Sequence, residues 1–467
     1  MKRSRSYLVL LCAVLTLLLT ACSAGGRQRI TPDELDPALN QEIDPDKEVL
    51  IYARTSPTDE SYYNIYFDRE AVDRFNRTHD DVQILVKDYY GSEEEWEQNC
   101  QRLLSEIAAG QIPDIIDLTG VAYRQAIQAG YLEDLWPYIE SDPDLGRDGV
   151  LEAPLKAAEV DGGLYAAFGA VEIDTLVGTA SQVGDRMAWT FQELQETFAG
   201  MPEGATLFQF NTSRDRIFAQ LVMYTLESYV DREAGTCSFD SPGFRSMLEF
   251  SSQFPTTQEV EKETAAFADL AALVREAEER SIKGLQMLDN YESVTLAKLP
   301  TLNAKHGGQC AFVGYPTADG SVGGSFVYRG PCLAMSSACR NKEAVWEFFR
   351  MLYLSPNSTI RSTDDTVPVC KLLYDKQRES LMKESRWVSP FPFSQPDTVL
   401  APPLTEEQVQ RFEDFFNSVN RIDILQDVTL GRLVREVCAP YFSGDNTLDE
   451  TVSLLDNRVG LYLSEQK

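Results

Sequence analysis

Three times between Val49 and Gly130 a short apolar run with β propensity is followed by a segment with helical spacing. Val49-Leu50-Ile51-Tyr52-Ala53 reads as a buried strand, 65–78 as a helix with Phe67, Ala71 and Phe75 on one face, and Val82 to Val86 as a second strand. Glu93 to Ala109 is an amphipathic helix with Trp96, Cys100, Leu103, Leu104 and Ile107 on its inner face, stopped by Gly110. Asp114-Ile115-Ile116-Asp117-Leu118 is the third strand, and 121–129 a helix closed by Gly130. Strand–helix units in series with short connections require right-handed crossovers and an open parallel sheet, so the predicted class is α/β. In such sheets ligands bind beyond the carboxyl ends of the strands, which singles out Asp117-Leu118-Thr119-Gly120.

Further along, about 178–284 reads as largely helical. Trp189-Thr190-Phe191-Gln192-Glu193-Leu194 starts one helix, Asp240-Ser241-Pro242-Gly243 caps another, and Ala265 to Ile282 forms a third. Strands return at Cys310 to Pro316 and Ser325 to Met335, around a turn at Asp319-Gly320. Glu343 to Leu354 is amphipathic through Val345, Trp346, Phe348, Phe349 and Leu352, and 405–419 and 447–464 are helical. No internal repeat of 20–50 residues is visible.

The N-terminus predicts export. Lys2, Arg3 and Arg5 form a positive region, and Tyr7 to Thr20 is an apolar stretch of about 14 residues, too short for a bilayer span and suited to a signal peptide. It ends in Leu19-Thr20-Ala21-Cys22, which looks like a bacterial lipobox in which the cysteine is acylated on sulfur. The expected arrangement is a signal peptide over 1–21, a lipidated Cys22, and a flexible tether over 22–48, rich in Gly, Pro, Asp, Gln and Asn without apolar periodicity. The body would then stand at the outer face of the cell membrane.

Of the 467 residues, 42 are Lys or Arg and 73 Asp or Glu, a net charge of -31. Removing residues 1–21 leaves 39 bases and a charge of -34. That balance excludes the basic footprint of a nucleic-acid binder. The remaining seven cysteines (Cys100, Cys237, Cys310, Cys332, Cys339, Cys370 and Cys438) are odd in number and form no close CxxC pair. They admit one or two disulfides or plain buried thiols. With only His79 and His306, neither near a cysteine pair, a zinc site is not expected. Asp142, Asp144 and Asp148 lack the glycine and glutamate of a calcium loop, since Arg147 and Ala153 stand at those positions. No cofactor is expected.

Several stretches resemble the extracellular solute-binding proteins of bacterial ABC importers, in particular the carbohydrate-binding family that includes maltose-binding protein. Pro113 to Leu118, followed by Ala129-Gly130-Tyr131-Leu132-Glu133-Asp134-Leu135 and Tyr138-Ile139, is similar to a strand-helix segment of that family. Phe239 to Phe244 resembles the run opening a helix in its second lobe. Gly314-Tyr315-Pro316 through Asp319-Gly320 and Ala344 to Phe349 match a further stretch, and Thr447 to Glu450 with Asn457-Arg458-Val459 and Tyr462-Leu463 resembles the closing helix. The resemblance implies a periplasmic-binding-protein-like fold of two discontinuous α/β lobes, with a hinge and an interlobe ligand cleft. The expected N-terminal lobe is 49–170 plus 285–335, and the C-terminal lobe 171–284 plus 336–467, with crossings at about Tyr165 to Val177, 285–292 and 335–340. Gly169-Ala170-Val171-Glu172 departs from the sugar binders, where a proline-containing segment is expected.

A sugar needs carboxylates and amides for its hydroxyls and aromatic plates for its apolar faces. Candidates are Tyr89 and Tyr90 after the second strand and Asp117 after the third, with a helix cap as its structural alternative. Phe168 and Glu172 flank the first crossing, Asn290 and Tyr291 the second; Tyr328 and Arg329 lie in a late strand, and Trp387 sits in a loop-like context. Trp96, Trp136, Trp189 and Trp346 have core spacing. The implied function is capture of a small solute, a sugar or oligosaccharide, by a monomer that delivers it to ABC permease subunits. The alternatives are a receptor presenting ligand to a sensor kinase, and a secreted glycosidase. No G-x-S-x-G, P-loop or H-E-x-x-H motif supports an enzyme.

Overall fold

Among the described residues, hydrogen-bonded strands form two larger sheets that share no strand, of four and five strands, and two two-stranded pairs. The computed structural model describes residues 30–465 apart from 37–38, 40, 57–67, 93, 211, 233, 318–319, 355–365 and 396; the signal segment, Cys22 and part of the expected 65–78 helix lie outside them. Two units result. The first contains the described residues up to Tyr138, with Val160–Phe168 and those within Gly330–Arg361; the second contains Ile139–Glu159, Gly169–Arg329 and those from Ser362 onward.

In the first unit, β1 (Glu48–Arg54) lies between β2 (Val82–Asp88) and β3 (Ile115–Asp117), parallel to both, as strand–helix alternation demands. Leu333–Met335 adds antiparallel to β3. The helix Trp96–Ala108 buries Cys100, Leu103 and Ile107. The helix Lys342–Leu354 sends Phe348 between Tyr52 of β1 and Phe75, with ring centroids 6.4 and 5.9 Å away. Burying such rings contributes roughly 1.5–3 kcal/mol each.

The second unit is organised around β4 (Ala170–Thr179), nine of whose ten residues are buried. β4 pairs antiparallel with β5 (Leu288–Val294), β6 (Cys310–Phe312), β7 (Ser325–Arg329) and Val367–Pro368. A helical core around Trp189, Phe218, Phe239, Phe244, Val434 and Leu455 completes it.

This pairing corrects the expected boundaries. Residues 285–329 do not return to the first unit, since β5, β6 and β7 are bonded to β4, and 139–159 lie with the second unit, where Val150 bridges to Cys370. The chain passes between units at Tyr138–Ile139, Glu159–Val160, Phe168–Gly169 and Arg329–Gly330, and once more between Leu354 and Thr366. Leu333–Met335 and the helix after it belong with β3 and β1, so 336–354 also changes sides.

The expected tether is corrected from residue 30 onward. Leu35 bridges antiparallel to Lys87, and Asp36 N–H donates to Val86 O at 3.0 Å. The Gln41 amide then takes both backbone groups of Val86, accepting from N at 2.6 Å and donating to O at 3.0 Å. Gln83 Nε2 donates to Asp44 O at 2.8 Å, and Lys47 Nζ to Asn76 O and His79 O. Asp36 pairs with Arg54, both buried. The described residues of 30–47 thus form a strap along the outer edge of β2, held by polar groups, which apolar periodicity does not reveal.

The seven cysteines are free thiols, all buried except the part-buried Cys237. Among the described residues no cluster of metal-binding side chains forms, and no helix is long and apolar enough to cross a membrane.

Candidate functional site

At the carboxyl ends of β1 and β3, Asp117 is fully buried and its side chain is an acceptor hub. Oδ2 accepts from Thr55 N at 3.2 Å and Ser56 N at 2.8 Å, and Oδ1 from Thr119 N at 2.9 Å. Thr55 Oγ1 donates to Asp117 O and Thr119 O, and Trp96 Nε1 donates to Thr55 O at 2.9 Å. Gly120 has φ +72°, and a Cβ there would meet Trp96 Cζ2 at 2.5 Å, so only glycine fits. Asp117 therefore organises a turn in which Thr55, Ser56 and Trp96 take part, and these three partners are absent from the sequence-based candidates.

Two of the other candidates in this unit are structural. Tyr89 is buried and donates through Oη to Glu106 at 2.5 Å; burial and that carboxylate push its phenol up to about 12. Phe168 is fully buried, a core residue rather than an exposed plate. Tyr90 is part-buried, its N–H donating to Asp88 Oδ1 and its carbonyl accepting from Asn99 Nδ2.

In the second unit the start of β4 places Glu172 opposite Val327 of β7. Its carboxylate is almost wholly buried, with Arg329 Nε at 2.6 Å and Lys298 Nζ at 3.9 Å. Those cations keep 33% and 32% of their side chains exposed, so the cluster is reachable from solvent. Tyr328, part-buried, donates its N–H to Asp423 Oδ1 at 3.5 Å. Burial pushes the Asp423 carboxyl up to about 7, against the backbone donors and Arg329 that favour its ionised form. Glu172, Tyr328 and Arg329 are thus brought together, joined by Lys298 and Asp423, which sequence reading missed. They come from segments 126 to 251 residues from Glu172, a separation that leaves no local signal.

Asn290 and Tyr291 lie on β5 opposite Leu176 and Thr175. Asn290 is part-buried; the Tyr291 side chain is outside the described residues. Trp387 is 69% exposed on the hairpin of Arg386–Val388 and Val399–Ala401, facing Leu400, and nothing gathers it with the other candidates.

Two further polar networks lie inside this unit. Asp174 accepts from Tyr315 Oη at 3.0 Å and from Tyr224 Oη, and the two rings stack with centroids 4.0 Å apart. Asp289 pairs with Lys305 at 2.8 Å and His306 at 3.1 Å, while Thr179 Oγ1 lies 2.9 Å from His306 Nδ1. Burial raises the Asp289 carboxyl, but the His306 ring and the Lys305 ammonium beside it reverse this and hold it below the ordinary range.

Comparison with known proteins gives the fold a class. Among solved structures, an extracellular solute-binding protein family 1 member from Alicyclobacillus acidocaldarius matches 90% of this chain and 100% of its own, at 13% identity and a TM-score of 0.53. The sugar-binding protein MalE from Xanthomonas citri matches 90% of this chain and 98% of its own, at 16% identity and a TM-score of 0.51. This chain has the fold of the MalE-like extracellular solute-binding proteins. No protein-family model matches the sequence, and neither does any curated protein.

Proposed function

We propose that the chain is a substrate-binding lipoprotein that captures a sugar or oligosaccharide, without turning it over, and delivers it to the membrane permease of an ABC importer. The observation that carries this reading is the fold shared, over nine-tenths of the chain, with a protein described as sugar-binding. The reachable Glu172–Arg329–Lys298 cluster supports it, since charged hydrogen-bonding groups suit the hydroxyls of a sugar. Asn290, part-exposed on β5 of the same unit, is proposed to add to this recognition, whereas Asp117 and Tyr89 support the strand ends of the first unit from within. Cys22 is proposed to carry the acyl chains that hold the protein, as a monomer, at the outer face of the membrane.

A melting-shift screen of mono- and oligosaccharides tests the solute. One carbohydrate class should raise the melting temperature in a concentration-dependent way, as mass action requires, and no product should form. Product formation, or silence across sugars beside a shift with peptides, refutes the reading. Separately, Cys22→Ala should release the protein into the medium, and retention on membranes after that change refutes the anchor.

A further inference from the structure

The charges of the Glu172 cluster are layered. The Glu172 carboxylate lies inside, its side chain 7% exposed, while Arg329 and Lys298 keep about a third of theirs in water. A solute reaching this face therefore meets a guanidinium and an ammonium before it meets the acid. Among the described residues the Lys298 ammonium, which has three donors, has as partners the Ser293 hydroxyl and the Glu172 carboxylate. The second of these is 3.9 Å away, beyond hydrogen-bond reach.

The acid beside Arg329 on the far side, Asp423, accepts from the backbone N–H of Tyr328, and burial pushes its carboxyl up to about 7. At neutral pH it supplies only part of a countercharge. In a chain of net charge -31, two outward cations over one buried acid are thus a local reversal of sign.

The donor and acceptor inventory then selects the solute's chemistry. Lys and Arg side chains only donate, a hydroxyl both donates and accepts, and a carboxylate only accepts. A neutral sugar set on this donor-only face would leave its hydroxyl protons to Glu172 alone. A carboxylate suits both cations, and such charge-assisted bonds are roughly twice as strong as neutral ones. On a uronic acid the ring carbon next to the one bearing the carboxylate carries a hydroxyl. As the carboxylate draws the cations outward, that hydroxyl can take their place on Glu172. We propose that the solute is an acidic sugar, a uronate or an oligosaccharide ending in one, whose carboxylate is bound by Lys298 and Arg329 while its neighbouring hydroxyl donates to Glu172. The proposal rests on the reading of this cluster as the solute site, and it makes Lys298 the residue that separates acidic from neutral sugars.

Calorimetry on the full chain compares glucuronate and galacturonate with glucose and galactose, and with sodium acetate and glucose phosphate. A uronate should bind about tenfold tighter than its neutral counterpart, the difference between a charged and a neutral hydrogen bond. Its affinity should fall as salt rises, because both cations reach water. Lys298→Gln should weaken the uronate by about tenfold, and Lys298→Arg, which keeps the charge, should retain most of the affinity. Neutral sugars binding as tightly as the uronates would overturn the proposal and leave the sugar reading standing. Silence across neutral and acidic sugars alike, beside a response to peptides, refutes both. An equal response to acetate, tighter binding of glucose phosphate, or unchanged uronate affinity in Lys298→Gln each overturns the assignment of the carboxylate.

Discussion

Asp117 closes β3 in the first unit, and Glu172 lies near the start of β4 in the second. Both carboxylates are buried, but Asp117 is satisfied by three backbone N–H groups close in space and Glu172 by two long cationic side chains. A carboxylate held by backbone donors fixes the chain that supplies them. One held by an arginine and a lysine that still reach water can exchange those partners for a solute's hydroxyls. Burial alone thus does not separate structural from functional acids; the mobility of the partners does.

Three measurements would break or sharpen that contrast. Asp117→Ala leaves buried N–H groups of Thr55, Ser56 and Thr119 without an acceptor, and should lower unfolding stability by about 3 kcal/mol or more in urea titration. A loss below about 1 kcal/mol would show that water replaces the hub. Asp423→Asn should act through pH. Its folded carboxyl titrates near 7, above the unfolded value, so its contribution to stability is complete below about pH 4 and is lost as pH rises through 7. The variant should therefore remove a fall on the order of 2 kcal/mol between pH 4 and pH 8, discounted from the full shift because the residue is only part-buried. An unchanged pH slope would remove Asp423 from this account. Glu172→Gln should change stability least, by about 1 kcal/mol or less, because Arg329 and Lys298 can turn to solvent. It should instead weaken the carbohydrate-induced melting shift, and a large stability loss with an intact shift would make Glu172 as structural as Asp117.

Much of the first unit was legible in the sequence, because each strand from Val49 to Leu118 is followed by its own covering helix and the register of inner faces is local. The second unit was less so. β5, β6 and β7 read as strands, but β4 as their common partner is a property of residues more than a hundred positions apart, and nothing local assigns 285–329 to it. The same distance hid Lys298 and Asp423 from the site. Tyr89 and Phe168 were placed at the right ends of elements, but a strand end does not reveal whether a ring turns outward or, as here, toward Glu106 or into the core. Trp387 shows the converse: a ring in a loop-like context is exposed on a hairpin, away from the clustered candidates.

The strap over β2 bears on how this protein can be handled. Its backbone bridge and the Gln41 and Gln83 amides cap a strand edge whose sequence, Val82-Gln83-Ile84-Leu85-Val86, is uncharged and apolar apart from Gln83. A recombinant body started at Val49 would bare that edge and leave Arg54 buried without Asp36, inviting a neighbouring copy to add its own strand there. A fragment that begins upstream of Ile30 keeps the edge closed.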